Sequence, residues 1–404
     1  MRKVAWVLLL VFAFTIPWEY SLEVGEPLGN IARVFGLVLL LAAIPAMLQS
    51  GRLRSQGALQ WLVVAFFLWF CCSSFWSIEP QATLVRLRAY FQEMMVVWLV
   101  WEFAESPEDL RALLRAYVAG SCVLAFLTVA DFGFTAAAGQ VRFVAAGQDP
   151  NDVARFLDLG FPMAALLLDG EASRAGRWLA FTYLPIGLLG VLLTASRAGF
   201  LAAVVALIGC AVVLLHKHAR AVVAGALSLP VFASMLWFTV PHETLERIAS
   251  IPEQLNGGDL NQRVNIWVAG WDAFVHAPFL GSGAGSFVGA ARLAPIDTAH
   301  NTALAIVVEG GICALVLATA IVVVCARSVL KTEGTLRTAL GTALLVWVVL
   351  SVSATVEQNR TTWLLLGMIS LAGRLAVEDP QAMLRCFGGD VGNAPVAPTA
   401  EAVG

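Results

Sequence analysis

Apolar runs of about 20 residues recur along almost the whole of this chain, and that recurrence leaves it few ways to fold. Each run is long enough to cross a bilayer core of about 30 Å. In lipid every backbone amide needs an internal partner, so segments of this kind must be helices. Twelve spans are expected, at about 4–20, 28–48, 58–77, 84–104, 110–133, 152–168, 176–195, 197–215, 219–239, 301–326, 335–355 and 360–375. Composition agrees, since 13% of residues are charged and 59% are hydrophobic, whereas a soluble chain carries roughly 25% charged residues. The expected fold is an all-α polytopic membrane protein. The first span follows Met1-Arg2-Lys3, and with no small-x-small cleavage site after it, it reads as a retained helix.

One stretch interrupts the pattern. Residues 240–299 are too polar for lipid, and the chain re-enters an apolar run at His300-Asn301-Thr302. The chain thus divides into 1–239 (nine spans), 240–299 (a long loop), 300–376 (three spans) and a tail at 377–404, rich in Gly, Ala and Pro and expected to be disordered. The seven cysteines avoid the loop, so neither a disulfide framework nor a cysteine metal site is indicated.

Lys and Arg in the connections orient the chain. Fifteen fall on one side and ten on the other, so the richer side, with both termini, is expected in the cytoplasm and the loop outside. All ten outer cations are arginine. A guanidinium donates two parallel hydrogen bonds to phosphate oxygens and is less costly to desolvate than an ammonium. Arg33, Arg86, Arg88, Arg155, Arg197 and Arg360 fall near the starts of even-numbered spans, where a cation opposes the helix dipole. A bound anion would resolve that conflict, because helix N-termini bind phosphate. The alternative is that each arginine reaches the headgroups or pairs with an outer carboxylate such as Glu23, Glu26, Glu79 or Asp149.

Individual motifs sharpen the picture. In Arg142-Phe143-…-Asp149-Pro150-Asn151, Asp149 and Pro150 suit a helix start, whereas Arg142 has no such role. Ser196 is a candidate N-cap, leaving Arg197 at the membrane edge among small neighbours. After Asn261-Gln262-Arg263, the residues Val264, Trp267, Val268, Trp271 and Phe274 recur at three and four, an amphipathic helix that could lie along the bilayer. His276-Ala277-Pro278 through Gly285 reads as a turn, with His276 structural. His300 enters the membrane beside the expected anion site. A neutral imidazole there could take a proton from an attacking hydroxyl; a charged one could hold phosphate; or the residue could cap the helix. Glu93, Asp158 and Glu309 lie within spans and are expected to pair with arginine. No Asp-x-Asp, His-Glu-x-x-His or Walker loop appears, so neither a metal nor ATP is indicated.

Arg142…Gly147-Gln-Asp-Pro-Asn151, Ser196-Arg197-Ala-Gly199, Arg263 with Trp267, His276-Ala-Pro-Phe-Leu-Gly281-Ser-Gly283 and His300-Asn301…Glu309-Gly-Gly311 occur in the order seen in the O-antigen ligase and polymerase superfamily, which the chain resembles. The resemblance implies a GT-C-like membrane fold with a long periplasmic loop, in the inner membrane of a Gram-negative bacterium. It implies an inverting, metal-independent glycosyltransferase without a cofactor. The implied donor is an undecaprenyl diphosphate-linked O-antigen and the acceptor lipid A–core oligosaccharide; membrane lipids are partners and nucleic acid is not. The family's functional arginines fall on Arg197 and Arg263, and its histidine on His300. The expected site is therefore His300 as catalytic residue, Arg142, Arg197, Arg263, Arg86 and Arg88 on the donor diphosphate, and Asn301 and Glu309 in support. The paired arginine-rich outer loops of polymerases are not evident, which favours a ligase. A polymerase using the same donor and a lipid-linked glycan transporter are the alternatives; cations gathered at one face argue against the transporter.

Overall fold

A computed structural model describes the chain except residues 26–28, 52, 137–139, 171–172, 259–261, 295–296 and 388–404, with backbone alone at 216–217, 221, 224, 229, 231–232, 235–236, 239 and 255. Asn261, Glu26 and most of the expected tail thus lie outside the described residues. The first helices are α1 (Arg2–Thr15), α2 (Ile31–Ser50), α3 (Ala58–Cys72), α4 (Pro80–Phe103) and α5 (Pro107–Thr135). Then come α6 (Pro150–Gly170), α7 (Arg174–Leu193) and α8 (Arg197–Thr239). The long loop holds α9 (His242–Ala249), α10 (Ile251–Leu255), α11 (Arg263–His276) and α12 (Phe287–Ala290). The chain continues with α13 (Thr302–Lys331), α14 (Gly334–Ser351), α15 (Arg360–Glu378) and α16 (Pro380–Phe387). A two-stranded antiparallel ribbon, β1 (Glu23–Gly25) with β2 (Gly29–Asn30), is the one departure from helix of any regularity among the described residues. The protein is an all-α polytopic membrane protein with that small exception.

Eight stretches are long and apolar enough to cross a membrane, among the described residues. Three other expected spans, α4, α6 and α15, are helices that carry charge. Burial explains the difference for two of them. Arg360 through Leu375 of α15 are all buried, as are Val153 through Leu167 of α6. These helices run through the interior, so their charges meet protein and not lipid. On α4, Glu93 and Glu102 are likewise buried.

The two spans expected at 197–215 and 219–239 form the single stretch α8, broken at His218, whose φ of −123° and ψ of 31° are not helical. The chain doubles back there. Val240, just beyond α8, packs against Phe143 and Leu193, and Thr244 Oγ1 donates to the Val141 carbonyl at 2.7 Å. Both contacts lie at the end where α8 began.

Six connections meet at that end. Phe143 N–H donates to the Leu193 carbonyl and Ile78 N–H to the Ser282 carbonyl. Thr302 Oγ1 donates to the Ala354 carbonyl, and Arg360 pairs with Glu19. The opposite end has its own cluster, in which Arg2 pairs with Glu102 and Glu105, and Arg374 donates to the Trp101 and Ala104 carbonyls. This grouping is the one that alternating spans require.

α13 is interrupted in a way the sequence pattern hides. Gly311 has φ 66° and ψ −169°, a region open essentially to glycine alone. The interruption frees carbonyls, and the turn after α11 takes them: Ser282 N–H donates to Val308 O at 2.8 Å and Gly283 N–H to Glu309 O at 2.9 Å. Ile312 N–H in turn donates to Pro278 O at 2.8 Å. Trp69 Nε1–H reaches Gly310 O at 2.8 Å. Residues 278–283 are thus docked into a broken membrane helix, and the Val308, Glu309 and Gly310 carbonyls and the Ile312 N–H all find partners, as burial demands. Gly281, at φ 71°, passes so close to the Glu309 and Gly310 backbone that a side chain would collide.

The tail needs a correction. Disorder was expected from 377, yet α15 continues to Glu378 and α16 follows from Pro380, with Met383, Cys386 and Phe387 buried. Proline at the first helical position and apolar residues three and four apart stabilise this short amphipathic helix. Arg111 donates to the Cys386 carbonyl and lies over the Phe387 ring.

Candidate functional site

Two cavities open at the end where the six connections meet, and Asn151 lines both. The first, about 390 Å³, lies between the start of α8, α9–α11 and the end of α14. Arg197, Arg247 and Arg263 line it, with Leu201, Trp267, Val349 and Val352 as apolar wall. The second, about 600 Å³, is polar. His300, Asp149, Asp152, Asp297, Arg86 and Glu309 line it, along with Tyr20 and Asn359.

Local structure places these side chains. Ser196 Oγ accepts from Gly199 N–H at 3.2 Å, the expected N-cap, which sets Arg197 at the first position of α8. Ser196 Oγ also meets Asn151 Oδ1 at 2.9 Å, tying α8 to α6. Asp149 accepts from Asn151 N–H at 2.8 Å, and Pro150 opens α6 as expected. Arg197 Nη1 reaches Ser250 Oγ at 3.4 Å, and Arg247 Nε donates to Ala195 O at 3.3 Å. Arg263 opens α11, whose Ile266, Gly270 and Ala273 face the protein. The apolar stripe of α11 is divided: Val264, Val268 and Trp271 are exposed, whereas Trp267 and Phe274 pack against the protein. Trp267 Nε1–H donates to Ala299 O at 3.0 Å, holding the residue before His300.

His300 itself sits in a left-handed turn, φ 45°. Asn301, and not His300, caps α13: its Oδ1 accepts from Leu304 N–H at 2.9 Å. The capping role proposed for the histidine therefore falls to its neighbour. His276, by contrast, is exposed and its Nδ1 lies 2.7 Å from Asp272 O, a structural position at the end of α11.

The electrostatics divide between the cavities. Burial lowers the Arg142 pKa to about 10, with Arg247, Arg263 and Arg197 adding repulsion. Burial and the same neighbours lower Arg263. Four guanidiniums therefore share one neighbourhood. Arg142 stands behind the cavity, bonded from Nε to Thr194 O at 3.0 Å and from Nη2 to Asn151 Oδ1 at 3.3 Å. It thus has the structural partners that the sequence did not reveal. Burial lowers the His300 pKa too, and Arg263 adds to this, while Asp149, Asp297 and Asp152 pull the other way. The neutral imidazole is the favoured form near pH 7.

Arg86 and Arg88 do not join the arginine group. Arg86 Nη1 lies 3.3 Å from Glu309 Oε2 and 3.8 Å from Glu357 Oε1, in the polar cavity's wall. Two carboxylates hold it there, in the wall of the polar cavity and outside the lining of the arginine cavity. Arg88 is exposed on α4 and lines neither cavity. Glu309 pairs with arginine as expected, and its Oε2 also accepts from Gly285 N–H at 2.8 Å, fixing the loop before α12. Asp158 departs from expectation: neither carboxylate oxygen has a hydrogen-bond partner among the described residues. Of the other outer arginines, Arg155 pairs with Asp152 at 2.7 Å.

Arg247, Asp152, Asp297 and Glu357 also belong to this region, and nothing in their local sequence marks them. Burial raises the Glu357 pKa to about 7, opposed by Arg86. Arg247 lies on α9 one turn from Ser250, and only the fold shows that it faces Arg197. Among the described residues no three His, Cys, Asp or Glu side chains gather as a metal-ligand cluster.

The fold and the paired cavities define a polytopic membrane protein with a cationic, apolar-walled chamber beside a polar one. Residues 182–319 match the family model described as O-antigen ligase, about a third of the chain. The match supports placing the chain in the O-antigen ligase/polymerase superfamily, which suggests a glycosyltransferase-like activity. It takes in Arg197, Arg247, Arg263, His300 and Glu309, and leaves Arg142 and Arg86 outside. A search of curated proteins finds no match to this chain.

Proposed function

We propose that the protein is an O-antigen ligase at the periplasmic face of a Gram-negative inner membrane, with both termini cytoplasmic. It transfers a glycan from undecaprenyl diphosphate to lipid A–core oligosaccharide. The observation that carries this reading is the arginine cavity, apolar towards α8 and α14, joined at Asn151 to the cavity that holds His300.

The donor diphosphate lies against Arg197, Arg247 and Arg263, with Arg142 contributing charge from behind and the polyprenyl chain leaving past Leu201, Val349 and Val352. The acceptor sugar occupies the polar cavity. Its hydroxyl oxygen attacks the anomeric carbon as the bond from that carbon to the diphosphate oxygen breaks. His300 takes the hydroxyl proton, and the electron pair leaves with the diphosphate, whose charge the guanidiniums stabilise. A single displacement inverts the anomeric centre. No metal is needed on this route, since arginine neutralises the leaving group.

The test supplies purified protein with polyprenyl diphosphate-linked glycan and lipid A–core. Glycan joined to lipid A–core is the expected product; a lengthened carrier-linked glycan would make the protein a polymerase instead. His300→Gln should lose about 10²–10⁴-fold in rate while still binding donor. Near wild-type transfer by that variant would remove His300 as base.

A further inference from the structure

We propose that the groove between α1, α2 and α4 is a second lipid-docking site, which seats an acyl chain of the phosphorylated glycolipid acceptor. The proposal rests on reading the reaction as a transfer between two membrane lipids.

The groove encloses about 280 Å³ and lies apart from both cavities of the site. Its walls are apolar, with Phe12, Leu37, Phe91 and Met95 among them, and one end is polar, formed by Arg33, Gln92 and Arg360. Among the described residues no carboxylate lines it. Leu37 and Phe91 are partly exposed, so the groove opens sideways on the apolar surface of the bundle. Arg360 is held from behind by the buried Glu19 and donates to Gln92 Oε1 at 3.2 Å. Arg33 is exposed at the start of α2. An apolar trough ending in guanidiniums matches an amphiphile with a hydrocarbon chain and a phosphate at its head.

Its position selects the acceptor over other lipids. Arg360 is in the groove, and its neighbour Asn359 lines the His300 cavity. Glu19 holds Arg360, and its neighbour Tyr20 lines the same cavity. The groove and the polar cavity are therefore bordered by consecutive residues, Arg360 on one side and Asn359 on the other. The arginine cavity lies across Asn151, with its apolar wall on α8 and α14. Both reactants keep long apolar parts in the bilayer while their sugars meet in one polar chamber. Such a reaction needs two lateral mouths flanking the chamber. The donor uses the one at α8 and α14; the groove at α1, α2 and α4 supplies the other.

The experiment compares wild type, Gly36→Phe and Arg33→Glu in lipid nanodiscs. Gly36 lines the groove, and a side chain there points at the Phe12 ring, with 3.1 Å from its Cβ to the nearest ring atom. Gly36→Phe should raise KM for lipid A–core about tenfold, the effect of some two lost buried methylenes, and Arg33→Glu should raise it at least as much, because a carboxylate there repels the phosphate. KM for the donor should stay within about twofold in both variants, and so should KM for a deacylated, water-soluble core oligosaccharide in Gly36→Phe, which blocks only the chain. A rise in donor KM alone would assign the groove to the carrier and overturn the proposal. Unchanged constants throughout would leave it an ordinary surface crevice. A second arm needs no turnover: native mass spectrometry of protein exposed to bisphosphorylated lipid A. Wild type should retain lipid A and Arg33→Glu should lose it; equal retention refutes the site. If wild type retains lipid A but transfers nothing to lipid A–core, the ligase reading fails and the groove stands.

Discussion

Gly311→Ala is the substitution whose cost can be built from the coordinates. At φ 66° and ψ −169° an alanine is strained by about 1–3 kcal/mol. Its methyl would also collide with the Phe279 carbonyl, so residues 278–283 must move. That displacement puts three backbone hydrogen bonds at risk, at Ser282, Gly283 and Ile312, each contributing about 0.5–1.5 kcal/mol. The sum is about 2.5–7.5 kcal/mol, enough to lower the midpoint of unfolding by several degrees. Thiol-reactive fluorescence on heating in detergent reports this directly, since Cys210, Cys325 and Cys386 are buried until the bundle opens. Gly133→Ala is the control, because an added Cβ there meets nothing within 4 Å. Gly311→Ala should melt well below that control and lose transfer, as Glu309 and Gly285 shift with the loop. A melting point within about a degree of Gly133→Ala, with activity kept, would refute the claim that this helix break anchors the site.

Arg197→Lys keeps charge but loses the two-pronged contact, so donor affinity and transfer should fall substantially; wild-type values would make Arg197 a surface cation. The transfer rate should rise with pH below the ordinary histidine range and then level, because the base works neutral and burial lowers the His300 pKa. A rate that falls across that range would point to an imidazolium on phosphate. Transfer should persist in excess EDTA, and loss reversed by Mg²⁺ or Mn²⁺ would refute the metal-free route. Arg86→Met strands Glu309 and Glu357 and should cost about 3–5 kcal/mol of stability; Arg86→Met with Glu309→Gln should recover part of it, as read by melting.

Elements set by local periodicity were legible in the sequence. The spans, the Ser196 cap and the helix start at Pro150 all follow from residues within one turn of each other. The partnership of Glu309 with an arginine was legible too, though not which arginine: Arg86 lies 223 positions away. Arg142 looked unoccupied because its main partner is a backbone carbonyl, that of Thr194, which carries no sequence signal. Arg247 carries no sequence signal beyond its place in the long loop, since the turn of α9 that aims it at Arg197 depends on packing against α7 and α8. Asp152 and Asp297 were missed for the same reason. The helix at 380–387 did leave a signal, in Met383, Cys386 and Phe387 behind Pro380, but the glycine-rich residues after it masked a pattern only two turns long.

The exposed face of α11 has one more consequence. Val264, Val268 and Trp271 continue into Phe279 and Leu280, all exposed, while the opposite face is clamped on α12 and α13. Such a strip floats at the boundary between hydrocarbon and headgroups. Arg263 begins the same rigid helix, so its guanidinium rides at a set height above that boundary. Lipid phosphates ride at the same height on their own account. The strip is a waterline drawn on the protein: if the proposed donor is the substrate, it would bring Arg263 and the donor's phosphates level before either has moved towards the other.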